Sequence, residues 1–142
     1  MLKILLLFFA LLHANFAFAQ NPGNNNLQIR KALIEHHNRL LKAVEGSTVD
    51  QVWAHHAIGL ISRQIAEFSH LENLEELREV IQDESAKGLI VKMIGNLRLT
   101  MGYGCRTDLN SVTGYGKYSR NPQLVIAFNG LAKELTHACA NL

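Results

Sequence analysis

The chain has 142 residues, 48% of them hydrophobic and 18% charged, a length that supports one domain with a real core. Its 14 basic side chains nearly balance 12 acidic ones. That balance argues against nucleic acid as a partner, because phosphate binding needs a concentrated positive face.

The first nineteen residues read as an export signal rather than as fold. Met1-Leu2-Lys3 is a short positive start, Ile4 to Leu12 is almost unbroken apolar sequence, and Ala17-Phe18-Ala19 places small residues where a signal peptidase reads. The run is interrupted by His13 and Asn15, short of the roughly 20 apolar residues that a membrane span needs. Cleavage after Ala19 is expected. No cysteine follows directly, so the product is expected to carry no membrane anchor and to be soluble in the periplasm or secreted. The expected organisation is a signal peptide over 1–19, a flexible Asn-rich linker over 20–26 and one helical domain over 27–142.

Helical periodicity then runs through most of the chain. Leu27, Leu33, His37, Leu40, Leu41 and Val44 share a first stripe, ended by Gly46. Thr48 and Gln51 form a candidate capping box for a second helix. Its stripe is Val49, Val52, Trp53, His56, Ala57, Leu60, Ile61, Ile65 and Phe68. A short third helix is expected from Asn73, with Leu74, Leu77 and Ile81 as its apolar face and acids in its first turn. Ser85 to Met101 repeats Leu89, Ile90, Met93, Ile94, Leu97 and Met101, and Gly102 and Gly104 are read as its end. Asn121-Pro122 is a cap residue followed by proline at the first helical position, and it opens a last helix with Leu124, Val125, Phe128, Leu131, Leu135 and Cys139 on one side. No segment alternates with period two. The fold class is therefore all-α, a bundle of four or five helices with a long Gly/Tyr-rich crossover loop and one disulfide.

The two cysteines, Cys105 and Cys139, form an even pair in an oxidising compartment and read as that disulfide. Closing the loop between them stabilises by about 4 kcal/mol on a chain-entropy argument. If Cys105 follows the end of one helix and Cys139 lies near the end of the next, the bridge joins two C-terminal ends. Residues 106–120 must then travel back along the bundle, with the last two helices parallel or steeply crossed.

That expected loop gathers the features of a recognition surface. It holds Tyr103, Tyr115 and Tyr118 with Arg106, Lys117 and Arg120 and several glycines; tyrosine gives broad contact at small entropy cost and arginine gives fixed donors. A second candidate surface is the acidic run with Glu72, Glu75, Glu76 and Glu79, which would attract a cationic partner. His37 and His56 stand at equal distance from a turn at Gly46-Ser47, so a metal or small ligand between the first two helices is an alternative. Neither histidine has a ligand-type residue three or four positions away on its own helix, so no metal or other cofactor is expected.

Catalytic motifs are missing: there is no G-x-S-x-G, H-E-x-x-H, P-loop or haem-attaching cysteine pair. A hydrolase with dispersed carboxylates is the weaker alternative, with Glu35 and Glu67 the acids nearest to apolar stripes. Met93 and Met101 suit a homodimer interface as well as a core. In size, export signal, single disulfide and lack of an active site, the chain is similar to the small exported helical proteins that bacteria use as immunity proteins or inhibitors against cell-wall-degrading toxins. The resemblance implies a binding protein whose partner is another protein, such as a cell-wall-active enzyme or toxin.

Overall fold

The computed structural model describes residues 22–46 and 49–142. The expected signal peptide, the first two linker residues and Thr48 of the expected capping box lie outside them. Four helices account for most of the described chain: α1 (Pro22–Glu45), α2 (Gln51–Val80), α3 (Glu84–Tyr118) and α4 (Pro122–Ala140). The remainder of the expected linker, Pro22 to Asn26, is the first turn of α1.

Each helix packs on the next in the chain, and α4 packs back on α1. Paired residues count upward on one helix and downward on the next. Asn26 and Arg30 of α1 meet Glu75 and Glu72 of α2, and Glu75 and Gln64 of α2 meet Arg98 and Asp108 of α3. Asn25 of α1 meets Asn141 just after α4. The arrangement is an up-down-up-down antiparallel bundle, the topology that short connections favour.

The centre is filled by Ile29, Leu33 and Leu40 from α1, Ala57, Ile61, Phe68 and Leu71 from α2, Met101, Cys105 and Val112 from α3, and Leu124, Phe128, Leu131 and Leu135 from α4. The apolar stripe of α4 is therefore the one its sequence shows, and Met101 belongs to the core. Most of the expected stripe of α2 faces the core: Ala57, Ile61 and Phe68 are buried, and Trp53, Leu60 and Ile65 pack against them. Ala54 joins them, whereas Val49, Val52 and His56 are exposed.

Two expected breaks do not occur. The helix expected from Asn73 is the last part of α2, which runs unbroken because residues 60–80 contain neither glycine nor proline and keep burying Leu71 and Leu74. It ends at Ile81, whose backbone is extended. The larger correction concerns 102–118. The expected Gly/Tyr-rich crossover loop is helical throughout, and α3 spans 35 residues, about 52 Å at 1.5 Å per residue. Glycine costs a helix about 0.5–1 kcal/mol per position relative to alanine, yet the inward stripe Ile90, Ile94, Met101, Cys105, Asp108, Val112 and Gly116 continues past every glycine. Burial on that stripe outweighs local propensity, as tertiary packing commonly does.

Because Cys105 sits in the middle of α3, the disulfide needs no crossover. Cys105 and Cys139 are joined with their Cα atoms 5.6 Å apart, and the bridge clasps two antiparallel helices that turn at residues 119–121. The parallel or steeply crossed arrangement is thereby overturned. Asn121 caps α4 by accepting from the backbone N–H groups of Gln123 at 2.9 Å and Leu124 at 3.1 Å, the role its pairing with Pro122 announces.

One glycine of α3 lies at this close approach. A β-carbon at Gly116 would meet the tip of the exposed Asn129 side chain and touch Phe128 of α4, whereas a β-carbon at Gly95 would meet nothing. Gly95→Ala is therefore expected to stabilise by about 0.5–1 kcal/mol through helix propensity, and Gly116→Ala to gain less, because the Asn129 side chain must turn away to admit the methyl group. Urea unfolding midpoints of the two variants check the order.

Candidate functional site

Once α3 is continuous, its solvent side becomes the most distinctive surface of the bundle. Leu89, Leu99, Tyr103 and Tyr118 are 61%, 63%, 65% and 64% exposed, and Met93 is also exposed. By helical spacing they lie on one side of the helix, opposite the inward stripe. Lys92, Arg106 and Lys117 run along one edge of this side. The Arg106 guanidinium lies 5.2 Å from the Tyr103 ring centre and the Lys117 ammonium 5.3 Å from that of Tyr118, so each cation is held against a ring face. From residue 85 to 118 the only acid is Asp108, and it is buried. The outer face of α3 therefore presents apolar, aromatic and basic groups with no exposed carboxylate.

The first turns of α3 lie at the end of the bundle that they share with the last turn of α2. Asn26 of α1 and Arg98 of α3 bind the same Glu75 carboxylate, which places them at one level. Residues 84–97 lie beyond that level, where Ile90 and Ile94 are buried and Leu89, Val91 and Met93 are exposed.

Of the six residues expected to contact a partner, Tyr103, Arg106, Lys117 and Tyr118 share this side. Tyr115 does not. It stacks on Trp53 with ring centres 5.8 Å apart and a 14° interplanar angle, packs 5.6 Å from the Phe128 ring, and hydrogen-bonds through its hydroxyl to His56 Nδ1. It joins α3 to α2 and α4 rather than facing outward. Arg120 belongs to the turn after α3, where its backbone N–H donates to Asp50 at 2.6 Å.

The acidic run is split between inside and outside. Glu75 is buried and accepts from Asn26 at 2.9 Å and Arg98 at 2.6 Å, and Glu72 pairs with Arg30 at 2.5 Å. Glu76 and Glu79 remain exposed. Half of the expected acidic surface is therefore spent on joining helices.

His37 and His56 do not face each other. His37 Nε2 lies 3.2 Å from Ser62 Oγ, and His56 turns to Tyr115. The register pairs residue 37 with 62 rather than with 56, because the α1–α2 connection is longer than a tight turn. Among the described residues no group of three or more histidine, cysteine or acidic side chains is placed to hold a metal. Glu35 is exposed and sits 3.9 Å from Arg39. Glu67 shares Arg63 with the buried Asp108, at 3.2 and 2.5 Å, so these two acids are engaged with one guanidinium.

One residue missed in the sequence organises the end of the bundle near Tyr118. Asp50 precedes α2 with φ 65°, a left-handed conformation that aspartate tolerates better than most residues. Its Oδ2 accepts from the Ser119 hydroxyl at 2.7 Å and from the backbone N–H groups of Arg120 and Asn121 at 2.6 and 3.4 Å. The Ser119 bond, followed by the Arg120 N–H, holds this carboxyl below its ordinary pKa.

Comparison with protein-family models returns no match. Comparisons with curated proteins and with solved structures return none either. Among the described residues no helix is long and apolar enough to cross a membrane.

The Asp50 geometry carries a pH dependence. A carboxyl whose folded pKa is depressed contributes stability that is full above its unfolded pKa, about 3.9, and is lost as pH falls through the folded value. Asp50→Ala is expected to be destabilised relative to the parent near neutral pH, and the difference to shrink as pH falls below about 4. Urea midpoints across that range measure it; a difference independent of pH would contradict the carboxylate role.

Proposed function

We propose that this chain is a small exported helical binding protein that recognises another protein through the outer face of α3. The observation that supports this reading is the composition of that face: exposed leucine, methionine and tyrosine, an edge of lysine and arginine, and no exposed acid over more than thirty residues. Contiguous exposed apolar groups on a soluble domain mark interaction sites. Tyrosine and arginine are the residues on which protein interfaces most depend. A basic edge without opposing acids selects an acidic partner and speeds its encounter. The inhibitor or immunity type of action against a cell-wall-active enzyme or toxin fits this mode, since occluding an active site needs a rigid presenting helix and no chemistry of its own. Periplasmic or secreted location, cleavage after Ala19 and the Cys105–Cys139 staple belong to the same reading.

A photo-crosslinking residue placed at Leu99 or Tyr103 is expected to give one discrete adduct in exported extract, whereas the same residue at Lys31 or Asn38 on α1 gives none. The double variant Arg106→Glu with Lys117→Glu is expected to weaken the adduct by roughly 10-fold or more, as reversing two edge charges costs at least a kilocalorie. Adducts formed equally from α1 would contradict the assignment to α3.

A further inference from the structure

Away from the outer face of α3, the seam between α1 and α4 carries a groove of about 220 Å³. It exists because small residues face one another there. Ala43 on α1 and Ala127 and Gly130 on α4 line it, and a β-carbon at Gly130 would stand 3.4 Å from His36 Cε1, so the missing side chain lets the imidazole lie against α4. Ile126, 73% exposed, forms an apolar wall. The polar groups lining it are His36, Arg39 and Gln123. No carboxylate lines the groove.

We propose that this groove binds a short apolar group ending in a carboxylate, held by Arg39 and His36 while its apolar part rests on Ala43, Ala127 and Ile126. Charge complementarity selects the anion: a guanidinium forms paired, charge-assisted hydrogen bonds with a carboxylate. Arg39 is available for it. Its partner on α1, Glu35, is 3.9 Å away and both side chains are largely exposed, a pairing worth little in water. Volume selects the size. A site of about 220 Å³ is smaller than the roughly 300–1,000 Å³ of drug-like pockets, and fits one amino-acid-sized group. The same chemistry is supplied by a free small acid or by the last residue of a polypeptide.

The charged groups acting on His36 are Arg39 and Glu35 from its own helix and Glu134 from α4. Burial, followed by Arg39, holds its pKa below the usual value. A bound carboxylate opposes both effects, so occupancy raises the His36 pKa and binding strengthens as pH falls through the imidazole range.

The test is a titration of the disulfide-bonded protein followed by backbone and imidazole NMR. The probes are N-acetyl-leucine and its amide, and a ten-residue peptide ending in leucine as acid and as amide. The expected result is saturable shifts confined to the groove for an acid and not for its amide, an upward move of the His36 titration, and binding weakened about 10-fold or more in Arg39→Ala, the scale of one lost charged hydrogen bond. Ala127→Leu, which fills the groove without removing charge, is expected to weaken binding as well. Binding of both acids assigns a small-molecule site, and binding of the peptide acid alone assigns a polypeptide terminus. No saturable shift from either acid, or equal response to acid and amide, overturns the proposal. This site is independent of the α3 face, and its failure would leave the crosslinking result untouched.

Discussion

The bundle depends on the inward stripe of α3 running without interruption from Ile90 to Gly116. α2 and α4 are placed against it, and α1 closes the bundle on those two. α2 meets it through Gln64 and Glu75, and α4 meets it through the disulfide and through the bare backbone of Gly116. The covalent link does not bend the chain to reach Cys139. It fixes a contact that the antiparallel pair already makes, which removes disordered conformations from the unfolded chain without asking for an irregular segment in the folded one.

Polar residues inside the bundle set which turn of one helix faces which turn of the next. The Asp108 carboxylate accepts from Arg63 at 2.5 Å and Gln64 at 2.7 Å, while Glu75 gathers Asn26 and Arg98. Sliding a helix by one turn would leave these buried charges unpaired, which is far more costly than the small net gain from forming them. Apolar side chains fill the volume, and these two polar layers choose the register. At the other end Asp50 fastens the α3–α4 turn to the chain entering α2.

Much of this was legible in the amino-acid order. The all-helical class, the stripe of α4, its Asn-Pro start and the cysteine pairing follow from spacing and local chemistry. The course of 102–118 did not, because six glycines lie between 88 and 116 and each argues locally against a helix. The contrary signal was present as the spacing of Met101, Cys105, Asp108 and Val112, which continues the helical period. The face of α3 was partly visible in its tyrosines and cations. Leu89 and Met93 were read on one apolar repeat with Ile90 and Ile94, and only packing tells the two pairs apart. The α1–α4 groove was invisible, being a matter of small residues on separate helices meeting across a seam.

Recognition through α3 follows from its rigidity as much as from its composition. Side chains on a helix packed along its length and tied at Cys105 lose little freedom on binding, so Tyr103 and Tyr118 are presented already ordered. A loop carrying the same residues would have to be ordered first. The most direct measurement is amide hydrogen exchange from Gly102 to Tyr118 in the oxidised protein. Strong protection through the whole segment, most of all at Cys105, Asp108 and Val112, is the expected result; rapid exchange across it would show a loop and remove both the bundle geometry and the face that it presents.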